Sequence, residues 1–148
     1  MKRSLRFALL VCSLTFAVAA RAAEWTEDYA AALAQAKREH KNLLLDFTGS
    51  DWCGWCKKID TDVFAQPAFV AYANKNLVLV KLDFPRQRPM PDAVKQQNQS
   101  LKGKYNVGGF PTLILLDASE TKLFEQVGYR PGGPEAFLAA LAKGGTVE

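Results

Sequence analysis

Along the chain, short and densely apolar runs alternate with longer stretches in which apolar residues recur at three- and four-residue spacing. Leu43-Leu44-Leu45-Asp46-Phe47 and Leu77-Val78-Leu79-Val80-Lys81-Leu82 are continuous apolar runs of strand length, the pattern of strands buried on both faces. Thr112-Leu113-Ile114-Leu115-Leu116 is a third such run, and residues 122–127 alternate as a strand with one face covered. The short turn at residues 117–120 predicts that these last two form an antiparallel hairpin.

Helical spacing fills the intervals. Tyr29, Leu33 and Ala36 predict a helix over residues 26–40, with Thr26 as its cap, Glu27 and Asp28 in its first turn, and Lys37, Arg38, His40 and Lys41 at its end. His40 stands without a cluster of partners and reads as a solvated helix-end residue. A second helix carries Ile59, Val63 and Phe64 inward until Gln66-Pro67 interrupts it, and Pro67 then opens a further segment through Phe69, Val70 and Tyr72. Asn74-Lys75-Asn76 reads as the turn into the next strand. Three prolines make residues 84–91 a loop, in which Arg86 and Arg88 read as solvated charges. A sparsely apolar helix comes next over residues 92–104 with Asp92 as cap, then a glycine-marked turn at residues 105–111. Pro134 opens a closing helix through Leu141. The order predicts an α/β fold, a mixed sheet of about four strands with helices on both faces.

Ahead of this pattern lies a basic segment, residues 1–6, an apolar segment, residues 7–19, and the small-x-small triplet Ala20-Arg21-Ala22, the layout of a cleaved export leader. The apolar segment is shorter than the roughly 17–25 residues of a spanning helix. We expect residues 1–22 to be a signal peptide and residues 23–148 one domain. The short form of this leader, with no ER-retention tail at Gly145-Thr146-Val147-Glu148, makes the bacterial periplasm the expected location. Of the 19 basic residues, Lys2, Arg3, Arg6 and Arg21 belong to the leader, so residues 23–148 carry as many basic as acidic side chains. The formal charge of +4 is therefore no argument for nucleic acid or anionic lipid, and neither is expected as a partner. The leader also takes Cys12, leaving Cys53 and Cys56. One closely spaced pair constrains little of an unfolded chain, so it points to redox work and not to a disulfide scaffold.

The pair sits in Asp51-Trp52-Cys53-Gly54-Trp55-Cys56-Lys57-Lys58, where the strand at residues 43–47 gives way, through Thr48-Gly49-Ser50, to a helical pattern. The first N–H groups of a helix lack intrahelical partners and carry partial positive charge, so a thiolate at Cys53 is stabilised there and Cys53 is the expected nucleophile. Residues three apart on a helix lie within reach of a short disulfide, which Cys53 and Cys56 can close and open.

Leu45-Asp46-Phe47, Trp52-Cys53-Gly54-Trp55-Cys56-Lys57, Val80-Lys81-Leu82-Asp83 and Tyr105-Asn106-Val107-Gly108-Gly109-Phe110-Pro111-Thr112 together resemble the thioredoxin superfamily in identity, order and spacing, over about residues 43–141. The resemblance is greatest to its exported members. It implies a thioredoxin fold and a thiol–disulfide oxidoreductase, with Cys53 attacking and Cys56 resolving. By the same resemblance Pro111 is a cis-proline that places the Phe110 backbone for substrate, and Trp52, Gly54 and Trp55 belong to the substrate surface. Asp46 matches a buried acid that relays the Cys56 proton, and Lys81 matches its partner.

The turn before Cys53 is one residue longer than in ordinary thioredoxins; taken up as a bulge in the strand, that residue would turn Asp46 to the other face. The loop at residues 84–91 is also longer than the family's compact connection. Trp55 stands where ordinary thioredoxins have proline, so the direction of electron transfer stays open. The expectation is a reductase or isomerase with protein disulfide or dithiol substrates and a membrane electron donor. An oxidase using the same pair, or a metal-binding module, is the alternative. No cofactor beyond the dithiol and no resident metal is expected.

Overall fold

The computed structural model describes residues 22–147, so the expected leader, Cys12 included, lies outside the described residues except for its last position. Within them six strands form one sheet: β1 (Trp25–Thr26), β2 (Asn42–Thr48), β3 (Leu77–Asp83), β4 (Thr112–Leu116), β5 (Lys122–Val127) and β6 (Gly145–Val147), in the order β1-β3-β2-β4-β5-β6. β2 runs parallel to β3 and antiparallel to β4, and β4 pairs antiparallel with β5 as the hairpin pattern predicts. The four long strands are the four that the apolar runs mark. The two short edge strands carry no such mark; each pairs in parallel with a long neighbour.

Among the described residues five α-helices cover the sheet: α1 (Tyr29–Glu39), α2 (Gly54–Ile59), α3 (Pro67–Asn76), α4 (Asp92–Lys104) and α5 (Gly133–Lys143). Strand alternation sorts the core into two layers. Leu44, Leu79, Leu113 and Phe124 face Ile59, Val63, Phe69 and Phe137 from α2, α3, α5 and the turn between α2 and α3. Leu43, Leu45, Phe47, Val80 and Ile114 face Ala32, Ala36 and Leu101 from α1 and α4. Among the described residues no helix is long and apolar enough to cross a membrane.

Several expected boundaries move. Thr26 is the end of β1, not a helix cap; Asp28 caps α1, its Oδ1 accepting the Ala31 N–H at 2.9 Å. Asn74, Lys75 and Asn76 complete the last turn of α3, and the chain enters β3 at Leu77 without a separate loop. Pro91 precedes α4 and Asp92 is its first residue, a position where a carboxylate still suits the helix dipole. The break at Gln66-Pro67 is real, but a π-helical turn, Asp60–Phe64, comes before it, with Ala65 N donating to Asp60 O at 2.8 Å. α4 is held as much by polar groups as by apolar ones: buried Asn98 donates to the Asp83 carbonyl at the end of β3 at 2.9 Å.

Candidate active site

β2 ends at Thr48 and delivers the chain to a tight turn in which Trp52 N and Cys53 N both donate to Gly49 O, at 3.2 and 2.8 Å. β2 stays in unbroken register with β3 over Asn42–Thr48 and with β4 over residues 43–47, so the extra residue is taken up in this turn and not as a bulge. Asp46 therefore keeps the face of Leu44, the face on which α2 packs.

Cys53 is the N-cap of α2, and its Sγ accepts the Cys56 N–H at 3.2 Å. A sulfur in that position takes up one of the helix's unpaired amides and lies at the positive end of its dipole, the arrangement that favours a thiolate on reduction. Cys53 and Cys56 are disulfide-bonded with Cα atoms 5.3 Å apart, and both are buried. Gly54, between them at the helix start, is exposed with open space where a Cβ would stand.

The Phe110–Pro111 peptide bond is cis. Thr112 pairs with Phe47, so the start of β4 and the end of β2 lie at the same end of the sheet, and Phe110-Pro111 and the cysteine turn emerge there together. Trp52 covers this end: its Nε1 donates to Phe84 O at 2.8 Å and its ring meets Phe110 edge-on at 5.9 Å, while Phe110 stacks on Phe84 at 4.9 Å. Trp55 is 60% exposed and stacks on Tyr129, with ring centroids 5.5 Å apart and planes 18° from parallel. Tyr129 donates to Asp62 Oδ2 at 2.7 Å, and Lys58 pairs with the same carboxylate at 2.8 Å. Those two partners, Lys58 first, hold the Asp62 carboxyl below the usual carboxylate range.

Asp46 is fully buried, and neither carboxylate oxygen has a hydrogen-bond partner. Burial pushes its carboxyl up to about 8, with the Lys81 charge pulling the other way and Asp60 and Asp83 adding to the rise. Lys81 stands opposite Asp46 in the β2–β3 register, yet its ion pair is with Asp60 at 3.5 Å, so the expected Asp46–Lys81 partnership is one of charge across a gap and not of contact.

Three features escape the sequence reading. The Asp51 carboxylate accepts the Arg86 N–H at 3.1 Å and the Gln87 N–H at 2.8 Å, tying the proline-rich loop to the cysteine turn. Asp83, buried, receives Ser50 N at 2.9 Å and Ser50 Oγ at 2.6 Å, and pairs with Arg88. Arg88 is thus a structural anchor of the loop, not the solvated charge expected. Tyr129 has no motif around it. Asp51 is visible in the sequence as an acid in the lengthened turn, but its loop partner lies 35 residues on.

The thioredoxin-like family model matches residues 24–118, and the chain belongs to that family. Among its relatives, "Disulfide bond reductase DsbH" of Chlamydia pneumoniae is 41% identical over 124 residues, covering 84% of this chain and 74% of that protein. "Thioredoxin-related protein DsbJ" of the same organism is 35% identical over 100 residues, 68% of this chain but 29% of that protein. The solved structure of a "DsbH Oxidoreductase" superposes with a TM-score of 0.79 at 34% identity, covering 97% of this chain and 93% of that one. A thioredoxin from Thermus thermophilus, at 21% identity and a TM-score of 0.63, shares the fold, covering 83% and 87% of the two chains. With its Cys53–Cys56 pair at a helix start, the protein is a thiol–disulfide oxidoreductase.

Proposed function

We propose that the protein is an exported disulfide reductase acting on protein substrates. Cys53 is the attacking residue, Cys56 the resolving residue and Asp46 the proton acceptor; a membrane-bound thiol donor restores the dithiol. Reduced Cys53 attacks one substrate sulfur; the substrate S–S bond breaks, a Cys53–substrate disulfide forms, and the departing sulfur takes a proton. Cys56 then gives up its proton towards Asp46 and attacks the Cys53 sulfur. The mixed disulfide breaks, the second substrate thiol leaves, and two electrons have passed from the protein to the substrate. Burial raises the Asp46 carboxyl to about 8, so at neutral pH the acceptor is its minor ionised fraction, and resolution should quicken as pH rises towards 8. Export rests on the leader pattern of residues 1–22.

The observation that carries the direction is the 41% identity to a protein named a disulfide bond reductase, over most of both chains. The test is the reduction potential of residues 23–148 against a dithiol or glutathione buffer, followed by tryptophan fluorescence. A single two-electron transition near about −270 mV, the thioredoxin range, supports the reductase; one near about −180 to −120 mV assigns isomerase or oxidase instead. In the same protein, Cys56→Ser is expected to accumulate the Cys53 mixed disulfide with substrate, and Cys53→Ser to form none.

A further inference from the structure

The loop over residues 84–91 carries two arginines, and the structure gives them different work. Arg88 is neutralised: it pairs with buried Asp83 and lies 3.5 Å from Glu27. Arg86 is exposed, and among the described residues no carboxylate pairs with its guanidinium. It is nevertheless held in place at both ends. Its backbone N–H is fixed by the Asp51 carboxylate at 3.1 Å, and its guanidinium carbon lies 3.7 Å from the centroid of the Trp52 ring.

That separation is van der Waals contact, reached when a guanidinium lies flat on the ring. Stacking engages the face of the group and leaves its in-plane N–H donors directed outward, in the fork that matches a carboxylate. A long side chain ordinarily loses rotamer freedom when it captures an anion; here the ring and the anchored backbone have removed much of that freedom beforehand. Trp52 is itself pinned by Phe84 O and adjoins Cys53, and its ring meets Phe110. The cation therefore sits on the ring of the residue that immediately precedes the attacking cysteine. Asp51, the acid that anchors this loop, directs its carboxylate to the amides of Arg86 and Gln87, and a second exposed cation, Lys57, donates to the Asp51 carbonyl at 3.3 Å.

We propose that Arg86 is a specificity-determining residue, which pairs with a carboxylate flanking the reacting cysteine of a protein substrate and so brings acidic disulfide segments to Cys53. The proposal rests on disulfide exchange at Cys53 but not on its direction, so an oxidase would show the same preference.

The test uses synthetic peptides closed by one disulfide, identical except for Glu or Gln at a position beside the reacting cysteine. Second-order rates of their reduction by the reduced protein are divided by the corresponding rates with dithiothreitol, which removes the effect of Glu on the peptide's own reactivity. At low salt the wild type is expected to favour the Glu peptide by about three- to tenfold, and the preference should shrink at roughly 0.5 M salt. Arg86→Gln should bring the ratio to about one, Arg86→Lys should restore part of it, and Arg86→Glu should invert it. A wild-type ratio of one at both flanking positions, or a preference that persists in Arg86→Gln, overturns the proposal. Failure to react with either peptide removes disulfide exchange itself, and the proposal with it. A potential outside the reductase range would alter the direction only and leave the Glu preference standing.

Discussion

Trp52 folds back over Gly49 so closely that a Cβ on Gly49 would lie 2.5 Å from Trp52 Cε2. The lengthened turn before Cys53 thus makes a seat for an indole ring, and the missing side chain at Gly49 is what leaves the seat open. Gly49→Ala is expected to destabilise the oxidised protein by about 1–3 kcal/mol, the usual cost of overpacking. It should also move Trp52 off Phe84 O, shifting tryptophan emission to longer wavelength. Gly54→Ala, in open space at the start of α2, is the control and should leave stability near or slightly above wild type in urea titrations. Equal midpoints for the two variants would show that the turn yields freely to the methyl group.

Asp46 makes stability depend on pH in a fixed direction. Its carboxyl is raised to about 8 by burial, above the ordinary value near 4 that it regains on unfolding. Between those two values the folded protein holds a proton that the unfolded chain has released, so stability falls as pH rises from about 4 to about 8 and levels off beyond. Asp46→Asn removes that slope and should gain on the wild type in unfolding free energy across the window, with little difference at about pH 4. In the same variant, resolution of the mixed disulfide should slow by roughly 100-fold near neutral pH, the lower end of what a general base contributes. Denaturant titrations at several pH values and single-turnover release of thiol from substrate would read the two effects. Parallel stability curves for the two proteins would mean that Asp46 ionises normally.

What the sequence makes legible is what local chemistry dictates. Leu43 to Phe47 and Leu77 to Leu82 are strands because their apolar runs are nearly unbroken, and Cys53 is at a helix start because a strand, a turn and a helical pattern meet there. The family resemblance then supplies Pro111 and Asp46. Contacts formed across the fold are not legible in this way. Asp51 reads as one more surface acid until the loop 35 residues later folds onto it, and Arg88 reads as solvated until β3 brings Asp83 beneath it. Thr26 looks like a helix cap by residue type, yet pairing with Val80 draws it into the sheet and passes the capping task to Asp28. The edge strands are too short to carry any periodicity, and their existence is decided by the neighbouring strand that accepts them.

The anchor under the loop is a coupled pair. Asp83 has a fully buried side chain and Arg88 a half-exposed one, so removing the cation leaves a buried carboxylate with only Ser50 to satisfy it. Arg88→Ala is expected to cost about 1–3 kcal/mol, as befits a buried group that loses a charged partner. Asp83→Asn should cost a comparable amount, and the double variant should cost clearly less than the two added together. A double-mutant cycle in urea measures this, and strict additivity would mean that the ion pair contributes nothing to holding residues 84–91 in place.

Trp55 owes its position to Tyr129. An exposed indole between two cysteines would ordinarily sample several rotamers, but here it lies on a ring that is itself held by Asp62 and Lys58. A preformed flat surface costs a bound peptide less ordering than a mobile one, so its loss should appear in KM more than in kcat. Tyr129→Ala is expected to raise KM for a peptide disulfide by about two- to fivefold, within the range of an aromatic pair, and to weaken the near-ultraviolet circular dichroism of the tryptophans. Tyr129→Phe keeps the stack and loses only the Asp62 hydrogen bond, so it should stay close to wild type in KM. Trp55→Ala should match Tyr129→Ala in KM, and adding Tyr129→Ala to it should change little further, because both substitutions dismantle one surface. A KM unmoved by Tyr129→Ala would show that Trp55 receives substrate without this support.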